Sequence, residues 1–466
     1  MAEHATEPGP GAHTLYRTAR DAMNAPPERL AYVALLDPDA IAVVDVDASS
    51  PAYGTVVGKW DAPRHSEPDE FHHYGWNICS SALGGDHHHH DGEMDRRFLV
   101  VPGIRSSRIY VLDTQPDPRN PRLVKTIEPD EVMGTGRHSR PHTVHCGPSG
   151  LFVSALGSFE GDDGPGGIFT MDHSDFSVQG PWEADAGSQF YHYDFWWHMN
   201  DGVLVASEWA PPRLVENGLV PEALLGREYG HRLHFYDIST GRQVAEIDLG
   251  DQHQMALEVR PAHDPTKSYG FVGVVVDVTN LAASIWTWYR DGDEWRAEKT
   301  IEIPPVPMDA DQLPEMLKGF GAVPPLVTDI DLSLDDRHLY VSCWATGELH
   351  QYDVSDPMHP KLAGKVELGG IAHRAPHANG ASWAGGPQMI EVSRDGRRVY
   401  GTNSLYRSWD PQFYPDGIPG AMFIADAHPE GGLSLKRDFL VEFPGHRAHQ
   451  VRLEGGDCST DSFCFV

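Results

Sequence analysis

The sequence predicts an all-β chain, a seven-bladed β-propeller whose ring is closed by pairing of its N- and C-terminal segments. Three observations carry this. A unit of three or four short apolar strands recurs seven times at a period of about 40–60 residues, as expected for an array of sheet blades. The chain holds 47 Gly and 37 Pro in 466 residues, a supply of turn formers suited to short strands rather than long helices. The strand-like segment 448–453 (AHQVRL) has no complete unit of its own. It reads as the start of a blade whose other strands lie near the N-terminus, which would leave no open sheet edge.

The units can be followed in order. Residues 31–46 (AYVALLDPDAIAVVDV) supply one, and 97–114 (RFLVVPGIRSSRIYVLDT) another. Looser copies occupy 141–172, 193–238 and 255–289. The clearest is 326–354 (LVTDIDLSLDDRHLYVSCWATGELHQYDV), followed by 387–426. DLSLDDRHLYVS and EVSRDGRRVYGT align residue for residue, with a Ser-x-Asp-(Asp/Gly)-Arg turn between two strands, which is hairpin chemistry at the turn positions. Two tandem β-sandwiches would need a linker, and none divides the chain. Residues 1–27 read as an N-terminal extension and 28–466 as a single β-propeller domain. Short helical stretches at 219–227 and 309–319 fall in insertions between strands.

Composition excludes several classes of function. Lys plus Arg number 36 against 68 Asp plus Glu, a formal charge of −32. Such a surface repels phosphate backbones, so neither nucleic acid nor an anionic membrane is an expected partner. No apolar run is long enough for a transmembrane helix. The start, MAEHATEPGPGAH, shows neither a basic nor an apolar leader segment. The five cysteines (Cys79, Cys146, Cys343, Cys458 and Cys464) contain no C-x-x-C pair and read as reduced thiols of a cytoplasmic protein. The oligomeric state stays open.

The sequence carries no H-E-x-x-H, G-x-S-x-G or Walker A motif, and no G-x-G-x-x-G after a strand, which weighs against zincins, α/β-hydrolases and nucleotide enzymes. It does carry 27 His. In a propeller the first strand of every blade lines the central channel. Aligning the units by their turns brings His72-His73, His142, Asp194, Glu258, Thr328, Gln388 and His449 to one end of that channel, with a register uncertain by one residue. Imidazoles and carboxylates converging on one axis make a metal site: imidazole suits Cu, Zn, Fe or Ni, and carboxylates also admit Ca or Mn. The alternative is a polar channel whose His merely bond to neighbours. Strand alternation allows one residue of each close pair to face inward. That favours His73, His142 and His449 over His72, and one member each of His142/His145 and His446/His449. His373 and His377 lie in an insertion that could fold over the channel mouth. The tract His87–His90 reads as a metal-scavenging loop. Cys79, six residues after the His pair, is a candidate redox partner or ligand, whereas Cys146 reads as buried.

FHHYGWNICSS (71–81), IRSSRIYVLD (104–113), IEPDEV (127–132), YDFWW (193–197), SEWAPP (207–212), TDIDLSLDDRHLY (328–340), QYDVSDP (351–357), GGPQMIEVSRDGRRVY (385–400), SWDPQFYPDG (408–417) and AHQVRLEGGDCSTD (448–461) resemble the selenium-binding protein family. The likeness runs from about residue 9 to the C-terminus. It implies a seven-bladed propeller and, as in the bacterial and animal branches, a methanethiol oxidase that turns methanethiol, O2 and water into formaldehyde, hydrogen sulfide and hydrogen peroxide. It implies copper as cofactor, with calcium associated with some members. His72, His73, Cys79, His142, His145, Cys146, His449 and Cys458 fall on matching motif positions. The resemblance breaks at Gly54, where animal members carry the cysteine held to bind selenium. It breaks also at Ala82, where they have a second cysteine, and at Trp344-Ala345-Thr346-Gly347, where a histidine is missing.

The expectation is therefore a copper-dependent thiol oxidase acting on a small thiol and O2. His72, His73, His142 and His449 are its metal ligands. Glu258 and Asp194 are ligands, orienting groups or bases, and Cys79 is a thiol-exchange partner. A calcium-dependent, lactonase-like hydrolase and a non-catalytic copper or selenium carrier are the alternatives.

Overall fold

The computed structural model describes residues 16, 18–64, 69–79, 96–115, 117–147, 149–456 and 458. These form seven four-stranded antiparallel sheets and one two-stranded ribbon. The sheets are blades around a central axis, numbered 1 to 7 from the N-terminus. The inner strands, nearest the axis, are fully buried runs. His192–His198 of blade 4 and His253–Pro261 of blade 5 are buried along their whole lengths. Outer strands alternate, as in Arg242–Asp248, where every second side chain reaches solvent. A strand covered on both faces reads as a continuous apolar run, and one covered on a single face alternates.

Ring closure follows the expected pairing. The strand Arg447–Leu453 is the inner strand of blade 1 and pairs antiparallel with Leu30–Leu36, placing Ala31 opposite Leu453 and Leu36 opposite Arg447. The chain's two ends thus share one sheet. Seven apolar cores fill the seven gaps between neighbouring blades. Tyr32 and Trp76 meet between blades 1 and 2, for example, and Tyr400 packs with Val441 and Val451 between blades 7 and 1. The two aligned hairpins fold alike. Ser333 Oγ donates to Asp335 and Ser393 Oγ to Asp395, each at 2.6 Å.

An eighth apolar cluster packs insertions onto strand residues such as Tyr193, Met255 and Val275. The insertions include the short helices Pro221–Leu225 and Asp410–Phe413 and the 3-10 turns near 310–317. The cluster caps one end of the channel. Within the expected extension, Ala19–Met23 is a short helix that packs Ala22 on Leu334. Among the described residues no helix is long and apolar enough to cross a membrane.

Blades 1 and 2 meet through buried acids. Asp39 accepts from the Asp69 N–H at 2.7 Å, while its other oxygen has no hydrogen bond. Burial, and then the charge of Asp69, push the Asp39 carboxyl up to about 7. The folded state therefore keeps a proton that the unfolded chain releases near pH 4. Stability is full below pH 4 and falls as pH rises to about 7. Asp39→Asn keeps the acceptor and removes the titration. Its stability relative to the parent is expected to rise by roughly 1 kcal/mol per pH unit over that window and then level off. Urea midpoints from pH 4 to 8 check this, and parallel profiles for the two proteins would refute it.

Candidate functional site

Four imidazoles meet at the capped end of the channel, contributed by the inner edges of three adjacent blades. His449 comes from blade 1, His72 and His73 from blade 2, and His142 from blade 3. The ring centroids of His72 and His449 lie 3.8 Å apart, those of His73 and His142 4.3 Å, and those of His72 and His142 5.8 Å. All four are at most 3% exposed.

Strand alternation predicted that only one of His72 and His73 would turn inward. Both do. His73 has φ +34°, and the regular strand of blade 2 begins only at Gly75. Without a pleat at this point there is no alternation to obey. His72 therefore joins the set: it stacks on Tyr406 (centroids 4.1 Å) and contacts His449. The His446/His449 pair follows the rule, because His446 points out and donates from Nδ1 to the Pro38 carbonyl at 2.8 Å.

A backbone carbonyl sets the tautomer of His449, and a side-chain hydroxyl holds two of the other rings. His449 Nδ1 donates to the Ser404 carbonyl at 2.9 Å, so Nε2 carries the lone pair. Thr143 Oγ1 lies 3.0 Å from His142 Nδ1 and 3.3 Å from His73 Nδ1. The Nε2 atoms of His72 and His449 are buried without a hydrogen-bond partner. Burial is the main force holding all four rings neutral, reinforced for His72 and His73 by the neighbouring imidazoles. His142 and His449 are each lowered to about 3, and His72 and His73 well below their ordinary value. Crowded neutral imidazoles with unshared Nε2 lone pairs are the donor set that a borderline or soft transition metal takes. The residues present thus fit copper.

His72 and His449 face a small cavity walled by Tyr193, Trp209, Tyr406 and Trp409. Thr328 and Gln388 line it as expected. Asp194 and Glu258 do not; their neighbours Tyr193 and Leu257 do. The inner strands of blades 3 to 6 each carry a register break here, at Pro141/Val144, His192/Phe195, Ala256/Val259 and Val327/Asp329. A bulge shifts which residue faces inward, and bulges gather beside sites where a side chain must be re-aimed.

The displaced carboxylates point into the axis instead, onto Arg260. Its guanidinium reaches Asp194 and Glu258 at 3.1 Å each, Asp331 at 3.1 Å and Asp329 at 3.6 Å, and its side chain is 5% exposed. Asp194 also accepts from the Val259 N–H at 3.0 Å, which ties blade 4 to blade 5. Burial alone would raise Asp194, but His145, Arg260 and that N–H together hold it at about 2. Glu258 is raised well above its ordinary value by burial and by the charge of Asp194. It accepts from the Tyr193 hydroxyl at 3.0 Å and lies 3.3 Å from His73 Nε2. One oxygen of each of these carboxylates and one His73 nitrogen lie within 4.8 Å of one another. Arg260 already neutralises that group, which makes it a poor seat for calcium.

The reading of reduced thiols fails for two cysteines. Cys79 and Cys146 form a disulfide. They come together because consecutive inner strands of blades 2 and 3 run side by side, and both sit in the core between those blades. Cys79 is not on the cavity wall. Cys343 and Cys458 are buried. His373 lies 3.5 Å from Glu348 and 3.6 Å from Glu367, and His377 packs on Trp383, so neither reaches the cavity. His87–His90, Ala82 and Cys464 lie outside the described residues.

The chain matches the family described as 56kDa selenium binding protein (SBP56) over residues 7–464. It belongs to the selenium-binding protein family. A methanethiol oxidase of Xenopus tropicalis is 39% identical, over 97% of this chain and 98% of that one. Selenium-binding protein 1 of Arabidopsis thaliana is 37% identical, over 97% and 94%. The X-ray structure of a hypothetical selenium-binding protein from Sulfolobus tokodaii is 52% identical with a TM-score of 0.93, covering 97% of this chain and 99% of that one.

The position that departs from the animal members of the family, Gly54, sits in the outer hairpin of blade 1 at φ +72°, packed near Phe439. That backbone favours glycine, and a cysteine would be strained there. Four residues of the site escaped the sequence reading: Tyr193, Trp209, Tyr406 and Arg260. Tyr193 was one register position away. Tyr406 and Trp209 follow inner-half strands, in segments that look like ordinary loops.

Proposed function

We propose that this protein is a copper-dependent thiol oxidase whose reaction is methanethiol + O2 + H2O to formaldehyde + hydrogen sulfide + hydrogen peroxide. The observation that carries the reading is the cluster of four buried neutral imidazoles, two of them with unpartnered Nε2 atoms facing a small cavity. The names of relatives such as the Xenopus enzyme support it. His72 and His449 would hold the ion through Nε2, with His142 and His73 completing the set. Copper, when bound, supplies a soft acceptor for thiolate sulfur and one-electron exchange with O2.

The protein's own groups do the rest. The Ser404 carbonyl fixes the His449 tautomer, and Thr143 holds the His142 and His73 rings, which is how outer partners orient ligands. Tyr406, Trp209 and Trp409 wall the cavity and keep bulk water from it. Glu258, raised well above its ordinary value by burial and hydrogen-bonded by Tyr193, is placed to hold a proton beside His73. Asp194 acts through Arg260 and Val259 as a positioning residue. Cys79, as a disulfide, is assigned no step.

Oxygen uptake by copper-loaded protein given methanethiol, with sulfide and peroxide measured in parallel, tests the proposal. Uptake with both products in equal amounts is expected. Full copper occupancy without uptake would leave a metal carrier.

A further inference from the structure

Beside the His-faced cavity lies a second and larger space. The capping insertions form most of its wall, through Leu224, Leu317, Phe320 and Phe413. Every lining side chain is apolar. The single polar atom these side chains carry, the Trp409 indole N–H, is spent on the Val215 carbonyl at 2.8 Å. Met255, Val275, Leu326 and Trp409 border both spaces, so the two adjoin at these side chains. On the chamber's wall Phe320 is 40% exposed, which marks a route to solvent.

A one-carbon thiol makes no use of such a chamber. An apolar space of this size, opening beside a metal-type donor cluster, suits a hydrocarbon chain whose polar head sits next door. We propose that the chamber binds the hydrocarbon tail of the substrate, and that the thiols taken by this protein include alkyl and aryl thiols of about four to six carbons. Sulfur would lie at the imidazoles and the tail behind Met255 and Trp409. This rests on the thiol oxidase reading, so the test includes ligands that need no turnover.

Calorimetry with dimethyl, ethyl methyl, propyl methyl and butyl methyl sulfide measures tail binding without a reactive thiol. Affinity is expected to rise about fourfold per added methylene. Leu224→Trp, which fills the chamber, is expected to flatten that series. It should also lower the pentanethiol-to-methanethiol ratio of kcat/KM about tenfold or more. Leu224→Ala, which enlarges the chamber, should move the ratio the other way. A flat sulfide series in the parent protein overturns the proposal even if methanethiol is oxidised. A steep series that survives Leu224→Trp overturns it too, because the tail would then bind elsewhere. A steep series lost in that variant supports the chamber even if no thiol is oxidised, in which case only the oxidase reading fails.

Discussion

Replacing His449 by alanine is expected to strip the protein of copper and to lower oxygen uptake with methanethiol about 100-fold or more. Loss of a group that merely orients a ligand costs 10- to 100-fold in affinity, and a ligand itself should cost at least as much. The His449 ring is 1% exposed, its Nδ1–H is committed to the Ser404 carbonyl and its Nε2 has no partner. No neighbouring side chain can take its place, because His72 already occupies the adjacent position. His142→Ala is expected to behave alike. Two controls separate ligation from collapse. His446→Ala, three residues upstream on the outward side, should keep both copper and turnover. Added imidazole should partly restore copper to His449→Ala by filling the space the ring vacates. Copper content by elemental analysis and uptake by oxygen electrode read all three variants. A His449→Ala protein with full copper and full turnover would remove His449 from the ligand set.

The propeller was legible because its signals are local and repeated. The Ser-x-Asp turns at 333–335 and 393–395 recur as the same hydrogen-bonded hairpin, and the unpartnered strand pattern at 448–453 announced the closing blade. The imidazoles were legible as residues, since four His at matching blade positions converge on one axis. What the pattern hid was orientation. Strand alternation holds only where the pleat is regular, and here the inner strands of four blades break register at the same level. Those breaks exchanged Asp194 and Glu258 for Tyr193 and Leu257 on the cavity wall, while His72 turns inward because the regular strand of blade 2 begins only at Gly75. The disulfide was hidden for a different reason: Cys79 and Cys146 are 67 residues apart and meet only once blades 2 and 3 are placed side by side.

Arg260 was the least legible of the important residues, because a single arginine in a strand reads as a solvent-facing charge. It is instead a buried cation that reaches four buried carboxylates drawn from blades 4, 5 and 6. Arg260→Met is expected to cost about 3–5 kcal/mol of stability at pH 7, the usual penalty for removing one partner of a buried ion pair. The sign of its pH dependence follows from Asp194. In the parent protein Asp194 is held at about 2 by His145 and Arg260 against burial, so its contribution is present above pH 4 and is lost as the pH falls toward 2. Without Arg260, Asp194, Glu258 and Asp329 lose a countercharge that lowers them, and their folded-state pKa values rise. The variant then gains more stability on acidification than the parent does. The gap between the two should be widest at pH 7 and should narrow toward pH 4.5. Urea midpoints at both pH values measure it. An unchanged midpoint at pH 7, or a deficit that does not narrow, would mean that the axis is held by blade packing alone. The site should feel the loss as well. Glu258 lies between Arg260 and His73, at 3.1 and 3.3 Å, so a variant that still folds is expected to bind copper more weakly than the parent. Stability and metal affinity would then fall together from one substitution that touches no ligand.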